Sequence, residues 1–594
     1  MQGRDTPALS TPPGDDARAE PGPLPDRSDH DNGPSALVPP SPPVQTLPAE
    51  TEEPGPHPPP PPGRRRHRVR RGLLIGLVVL LVVVGGGAGY AYYLAHDLNR
   101  VEVKGLAGAL TTGLEAGTEN ILMVGSTSRC ALAVQNLAYG LCQGSADSAP
   151  VNGVNSDVIM ILHVNPARRR LAVLSIPRDL FIPNARTTGA NKIDAGLYQG
   201  MTQLVAAIEE DFGIPIQHAV SLNFDQFAAV VNALGGINMS FPMSVFDASS
   251  GLNVRAATCV HLNGTEALEV VRARHLQYQT SATTSTDALD WPQEGLSDLA
   301  RIRRDHEFLR VLATATSKHG LGNPVDDLNL INSLKGDLTF DQSWPVTDMV
   351  SLVLDFHSVQ VDSVPQLTLP VDVVTDPDGT QGSYVYEGSG YGDVEFPAQS
   401  QDEGAIDQFL GVGPASDSMT GTPLPTPSSV SVSVMNGTGA YNQATDTASA
   451  LSALGFRTVG VGDTPAVGDV SETVVYYGSH APATESAAEA VARSMTGSVV
   501  MAFDPGQVTD GAQVTVVTGT QFAVNTSSPS SASSTPGTSA PGGSGGSSSS
   551  TPSTTSPTAS AIAPPSPVTS NLEPWDPRAC PAGATPTSPV PNHT

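Results

Sequence analysis

Five arginines in this sequence stand where they could converge on one anion. Arg178 and Asp179 follow Pro177 at the end of an apolar run, Leu171 to Ile176. The proline stops the strand, and a strand end is a rigid base from which to aim a guanidinium. Arg272 and Arg274 are two apart; Arg301 and Arg304 are three apart on a predicted helix. Asp157 opens another apolar run, Val158 to Val164. Arginine presents forked donors that match phosphate oxygens, and Mg²⁺ takes oxygen ligands. Arginines around a carboxylate therefore suit a polyphosphate held partly through a divalent metal. Asp179 reads as an orienter of guanidinium groups. Arg178 reads as charge for a ligand and not as part of the core.

These groups need a scaffold. Ile121–Gly125, Val158–Val164 and Leu171–Ile176 are near-continuous apolar runs of strand length, as expected of strands buried on both faces. Met201, Leu204, Val205, Ile208 and Phe212 predict an amphipathic helix over 200–212. Phe224 to Leu234 repeats the pattern and stops at Gly235. Asn263, with Glu266 three residues on, starts the helix leading to Arg272 as a capping box. Ser297 caps the next helix, whose inner stripe is Leu299, Ile302, Leu309 and Leu312, with Arg301 and Arg304 on a neighbouring face. Alternating strands and helices predict an α/β, or α+β layered, domain.

The runs Asn120–Ser126, Ser175–Asp179, Asn191–Ala195, Ala233–Ile237 and Val271–Arg274, followed by the helix of Arg301 and Arg304, occur in an order that resembles the LytR-CpsA-Psr family of membrane-anchored cell-wall phosphotransferases. The resemblance covers about 119–320, with a looser continuation to about 412. It implies a central sheet covered by helices and an apolar tunnel for a polyprenyl chain. It also implies transfer of a glycan phosphate from a polyprenyl-pyrophosphate carrier to peptidoglycan. Carried over, Arg178, Arg272, Arg274 and Arg301 are the catalytic arginines, and Lys192, Arg304 and Asp179 bind or support the substrate. Asp157 matches a metal-binding carboxylate for Mg²⁺. The chain departs from the family where a first aspartate is usual and Thr127 stands instead. It also reads Asn155-Ser156-Asp157 for Arg-Ser-Asp, and Arg304-Asp305 for Arg-Gln.

Composition divides the rest. Residues 1–71 are Pro-rich and polar and end in Arg64, Arg65, Arg66, Arg68, Arg70 and Arg71, so disorder is expected there. Residues 72–95 hold a run of ~20 apolar residues, enough to cross ~30 Å of hydrocarbon. The arginines before it place the N-terminus in the cytoplasm, making a single-pass anchor of the cell membrane with the remainder extracytoplasmic. Expected next are a juxtamembrane linker (96–118), the catalytic domain (119–412) and a linker rich in Pro, Ser, Thr and Gly (413–427). A small α/β domain (428–518) follows, resembling the C-terminal domain appended to LytR-type proteins and carrying no catalytic set. A disordered Ser/Thr/Pro-rich tail (519–594) completes the chain.

Four cysteines suit an exported chain. Cys130 and Cys142 bracket an insertion and are expected to pair. Cys259 is either a free core thiol or the partner of Cys580, the latter against the expectation of a disordered tail. A net charge of −28 argues against a nucleic-acid partner. Two other classes stay open: a non-catalytic binder of polyprenyl phosphate or wall glycan, to which Thr127 points, and an envelope-linked regulator. A serine hydrolase is excluded because His163, His218, His261 and His275 are scattered, with no nucleophile motif.

Overall fold

A computed structural model of the protein describes residues 98–107, 117–127, 154–255, 258–295, 297–319, 338–356, 359–373, 384–464, 472–525 and 572–587. The expected segment 1–71, the span 72–95 and the Cys130–Cys142 pair lie outside them. Among the described residues no helix is long and apolar enough to cross a membrane.

Among the described residues the first elements are β1 (Asn99–Val101), β2 (Glu119–Ser126), β3 (Ser156–Asn165) and β4 (Arg170–Ser175), then a hairpin of β5 (Phe181–Arg186) and β6 (Gly189–Lys192). Next come α1 (Met201–Phe212), β7 (His218–Leu222), α2 (Phe224–Ala233), β8 (Ile237–Phe241), β9 (Thr258–Leu262), α3 (Gly264–Arg272) and α4 (Ser297–His319). The region closes with β10 (Thr339–Asp341), α5 (Val346–Phe356), β11 (Gln366–Thr368) and α6 (Gln399–Leu410).

A mixed seven-stranded sheet runs β1-β10-β7-β2-β3-β4-β11. β3 pairs antiparallel with both β2 and β4, setting Val158 opposite Gly125 and Met160 opposite Ser175. Two antiparallel pairings bring the end of β2, the start of β3 and the end of β4 to one edge. Thr127, Asp157 and Arg178 therefore meet there.

The apolar runs are continuous because both faces are covered. Leu122, Val124, Ile159, Ile161 and Leu174 pack under α1 (Leu204, Ile208) and α6 (Ile406, Phe409). Ile121 and Val164 face the other way, onto Trp344 and Met349. Full capping boxes open α2 at Asn223 and α3 at Asn263. These two helices cross closely at Gly264, where a Cβ would lie 2.1 Å from the Ala228 carbonyl oxygen.

A second module holds β12 (Ser431–Asn436), α7 (Gln443–Ala453), β13 (Arg457–Asp463), β14 (Thr473–Tyr477), α8 (Pro482–Ala492), β15 (Val499–Phe503) and β16 (Val514–Thr518). Its sheet runs β13-β12-β16-β14-β15. Pro482 sits at the helix entry, where the missing N–H costs nothing.

Two expectations fail. Residues 413–427 do not behave as a free linker: the Ser418 hydroxyl donates to the Gly213 carbonyl (2.8 Å), and its amide donates to Glu489 (3.0 Å). Parts of the tail are structured as well. Phe522–Val524 forms a short strand with Met495–Gly497. Farther on, β17 (Arg578–Ala579) pairs antiparallel with β8, and Cys580 is disulfide-bonded to Cys259. These fifteen or so residues fold by docking on β8 and its neighbours, a long-range effect invisible to local composition.

The face between the modules is rich in buried carboxylates. Burial pushes Glu209 up to about 8, Glu472 to about 8, Glu489 to about 8 and Glu210 to about 7. Arg493 and His480 offset part of this. The folded state thus holds protons that the unfolded chain releases above its ordinary carboxylate range of about 4.5. Stability from these groups is complete near pH 4.5 and is lost as pH rises through 7 to 8. The melting temperature of the purified protein is therefore expected to fall between pH 5 and 9. A flat or rising profile would contradict this.

Candidate functional site

The shared sheet edge gathers charge from five segments. Arg178, just beyond β4, pairs with Asp157 at the start of β3, and its Nε lies 3.5 Å from Asp179 and 3.7 Å from Asp298. Asp179 is a double acceptor, 2.8 Å from Lys192 Nζ at the end of β6 and 2.8 Å from Arg274 Nη2 beyond α3. Burial works against the Asp179 charge, but Arg178, Arg274 and Lys192 outweigh it and hold its pKa below the usual carboxylate range. It stays ionised and contacts one ammonium and one guanidinium group.

Arg301, in the first turns of α4, donates from Nη2 to the Asp157 carbonyl (2.5 Å) and lies 2.9 Å from Asp298. Four cations thus surround three carboxylates, Asp157, Asp179 and Asp298. Nearby acids are held toward neutrality by burial: Asp194 is pushed up to about 6, Asp305 to about 7 and Glu395 to about 8. The buried Nε–H groups of Arg178 and Arg274 make no hydrogen bond to the protein. They lie 3.7 and 3.6 Å from Asp298 Oδ1, so this acid holds both guanidinium groups electrostatically from the buried side.

Exposure sorts the residues. The side chains of Arg178, Lys192 and Arg274 are 17%, 19% and 25% exposed, so they form the open face. Arg301 is 3% exposed and holds Asp157 from behind. Arg304 departs from the expectation of a substrate contact. Its guanidinium is fully enclosed, 2.6 Å from Glu294, and donates to the Ala273 carbonyl. It supports the loop that carries Arg274. Arg272 lies with its guanidinium 4.7 Å from the centre of the Phe224 ring.

Thr127 is drawn into its own loop. Its hydroxyl donates to the Asn155 carbonyl (3.1 Å) and accepts from the Asn155 amide (3.0 Å). Sequence reasoning gave no role to Asp298 or Asp194, although each sits within a quoted segment or one turn from Arg301. Asn155 donates to Asp194 (3.1 Å). Ser175 and His306 approach to 2.7 Å, but both are buried, so the pair is structural.

The family model of the LytR_cpsA_psr family matches residues 96–395, and that of the LytR cell envelope-related transcriptional attenuator matches 429–522. The probable cell wall biosynthesis protein LcpB of Corynebacterium glutamicum is 30% identical over 271 residues, covering 45% of this chain and 58% of that protein. A polyisoprenyl-teichoic acid–peptidoglycan teichoic acid transferase, TagV of Bacillus subtilis, is 35% identical over 127 residues, covering 20% and 32%. The chain therefore spans less than two thirds of either relative. The solved LytR-Csp2A-Psr enzyme from Actinomyces oris is 21% identical, with a TM-score of 0.39 over 53% of this chain and 97% of that one. With half the chain matched by one family model, the protein belongs to the LytR-CpsA-Psr family.

Proposed function

We propose that the protein is an extracytoplasmic phosphotransferase that moves a glycan phosphate from a polyprenyl-pyrophosphate carrier to a hydroxyl of peptidoglycan. The observation that carries this reading is the open face of Arg178, Lys192 and Arg274, two of them locked by Asp179. The similarity to TagV, a polyisoprenyl-teichoic acid–peptidoglycan teichoic acid transferase, supports it. In the reaction the acceptor oxygen bonds to the glycan-side phosphorus while the bond to the carrier phosphate breaks. Such a transfer needs positioning and charge neutralisation more than covalent help. Arg178 and Arg274 spread the charge of the pyrophosphate oxygens, Lys192 adds a point charge, and Asp179 keeps the last two aimed. Arg301 fixes the Asp157 backbone, and Arg304 fixes Ala273.

Asp157 is a single carboxylate at the open face, which suits Mg²⁺ bound mainly through substrate phosphates and water. When bound, the ion would add positive charge beside the pyrophosphate. Thr127 contributes little while its hydroxyl is engaged with Asn155. Thr127→Asp is expected to tighten Mg²⁺ binding about tenfold, roughly 1.4 kcal/mol of added attraction. Calorimetric titration of Mg²⁺ in the presence of inorganic pyrophosphate tests this, and unchanged or weaker binding would remove the metal from this position.

The span at 72–95 would hold the N-terminus in the cytoplasm and the catalytic region outside, where a disulfide such as Cys259–Cys580 persists. The decisive experiment incubates the purified protein with a lipid-pyrophosphate glycan and peptidoglycan fragments, with and without Mg²⁺. Transfer supports the proposal. Binding of the lipid without transfer would favour the non-catalytic reading to which Thr127 points.

A further inference from the structure

We propose that residues 572–587 belong to the phosphate-binding machinery, with Asp576 as the positioning residue that fixes Arg304 and, through it, the Ala273 carbonyl between Arg272 and Arg274. The inference deepens the proposed function and rests on its reading of the arginine cluster as a pyrophosphate site.

The segment is held at several points. Arg578 and Ala579 pair with Ser240 and Met239, and Cys580 is bonded to Cys259. Trp575 stacks on Tyr278, ring centres 4.0 Å apart, and its indole N–H donates to Glu294 (3.2 Å). Between these anchors Asp576 is fully buried. Its carboxylate accepts from Arg303 Nε (2.5 Å) and lies 3.6 Å from Arg304 Nη1. Arg304 in turn pairs with Glu294 and donates to the Ala273 carbonyl.

An apolar staple and a disulfide would suffice to pin a tail. Burying Arg304, Glu294 and Asp576 from three separate segments, with Arg303 half-buried beside them, is costly unless every partner is in place. This network is placed where such rigidity has a use. It grips α4 at Arg303 and Arg304, within one turn of Arg301, and it grips the backbone one residue before Arg274. Without Asp576, Arg304 retains Glu294 as its close carboxylate, and its hold on Ala273 is no longer balanced from the tail side. Arg274 would then present its guanidinium from a looser backbone.

The test uses the full chain and the variant Asp576→Asn, which keeps the disulfide, the strand pairing and the side-chain shape. Inorganic pyrophosphate affinity, amide exchange at Ala273 and His275, thermal melting, and KM and kcat for transfer are measured together. Pyrophosphate binding is expected to weaken roughly tenfold to a hundredfold, the scale of a misplaced binding group. Exchange should accelerate at Ala273 and His275 before the rest of the domain, with Asp576→Glu restoring part of both. Unchanged pyrophosphate affinity and exchange would overturn the inference. So would a loss that merely follows a lower melting temperature across the whole domain. Affinity and exchange need no turnover, so a wild-type protein that fails to transfer would defeat the proposed function while leaving these two readings interpretable.

Discussion

Arg178→Ala is expected to lower transfer by at least about 100-fold, the usual effect of removing one oriented donor from a site where charge develops. The structure adds a second consequence. Burial works against the Arg178 charge, but Asp157, Asp179 and Asp298 more than offset it and hold the guanidinium firmly protonated. Alanine would leave those carboxylates facing one another, an imbalance that costs about 3 kcal/mol or more when a partly buried pair is broken from one side. The variant should therefore melt earlier as well as turn over slowly, which revises the reading of Arg178 as dispensable to the fold. Arg178→Lys separates the effects: it keeps a charge for the carboxylates and loses the fork for phosphate. It should regain most of the stability and little of the activity. Wild-type turnover in purified Arg178→Ala would sink the assignment of the site.

Arg493→Ala should release the C-terminal domain from the region that carries the arginine cluster. The Arg493 guanidinium lies 2.7 Å from Glu489, 2.9 Å from Glu403 and 3.0 Å from Asp407, joining α8's end to α6. It also donates to the Pro414 carbonyl (3.2 Å), at the start of the connecting segment. Removing it strands three carboxylates at a buried face, a loss of about 3–5 kcal/mol. Limited proteolysis should then cut within residues 413–427, a segment expected to resist cleavage in wild-type protein, and melting should split into two transitions. A variant as protease-resistant as wild type would show that the docking rests on other contacts.

Much of this arrangement is legible in the chain. β2, β3 and β4 announce themselves as unbroken aliphatic runs because both faces of the sheet are covered. The starts of α2 and α3 are written in Asn223 with Gln226 and Asn263 with Glu266. Arg178, Arg274 and Asp157 lie beside such elements, so their convergence follows once the sheet forms. The rest depends on partners far along the chain. Arg304 lies off the apolar stripe of its helix and reads as solvent- or substrate-facing. Inside the fold it meets Glu294, Asp576 and the Ala273 carbonyl instead. Asp298 looks like an ordinary first-turn acid of a helix until Arg178 and Arg274 arrive from other elements. Residues 413–427 have the composition of a linker, yet Ser418 is satisfied by Gly213 and Glu489, which no local pattern reveals.

The pairing of β17 with β8 changes how the chain must be assembled. The small sheet of β8 and β9 takes its third strand from beyond the C-terminal domain, across a sequence separation of 321 residues between the bonded cysteines. In topology the second domain is thus an insertion within the first. A chain emerging N-terminus first would present α4 with Arg303 and Arg304 uncovered until the inserted domain had followed and residues 572–587 arrived to seal them. A backbone cut in residues 526–571 would likewise leave two pieces joined through Cys259 and Cys580.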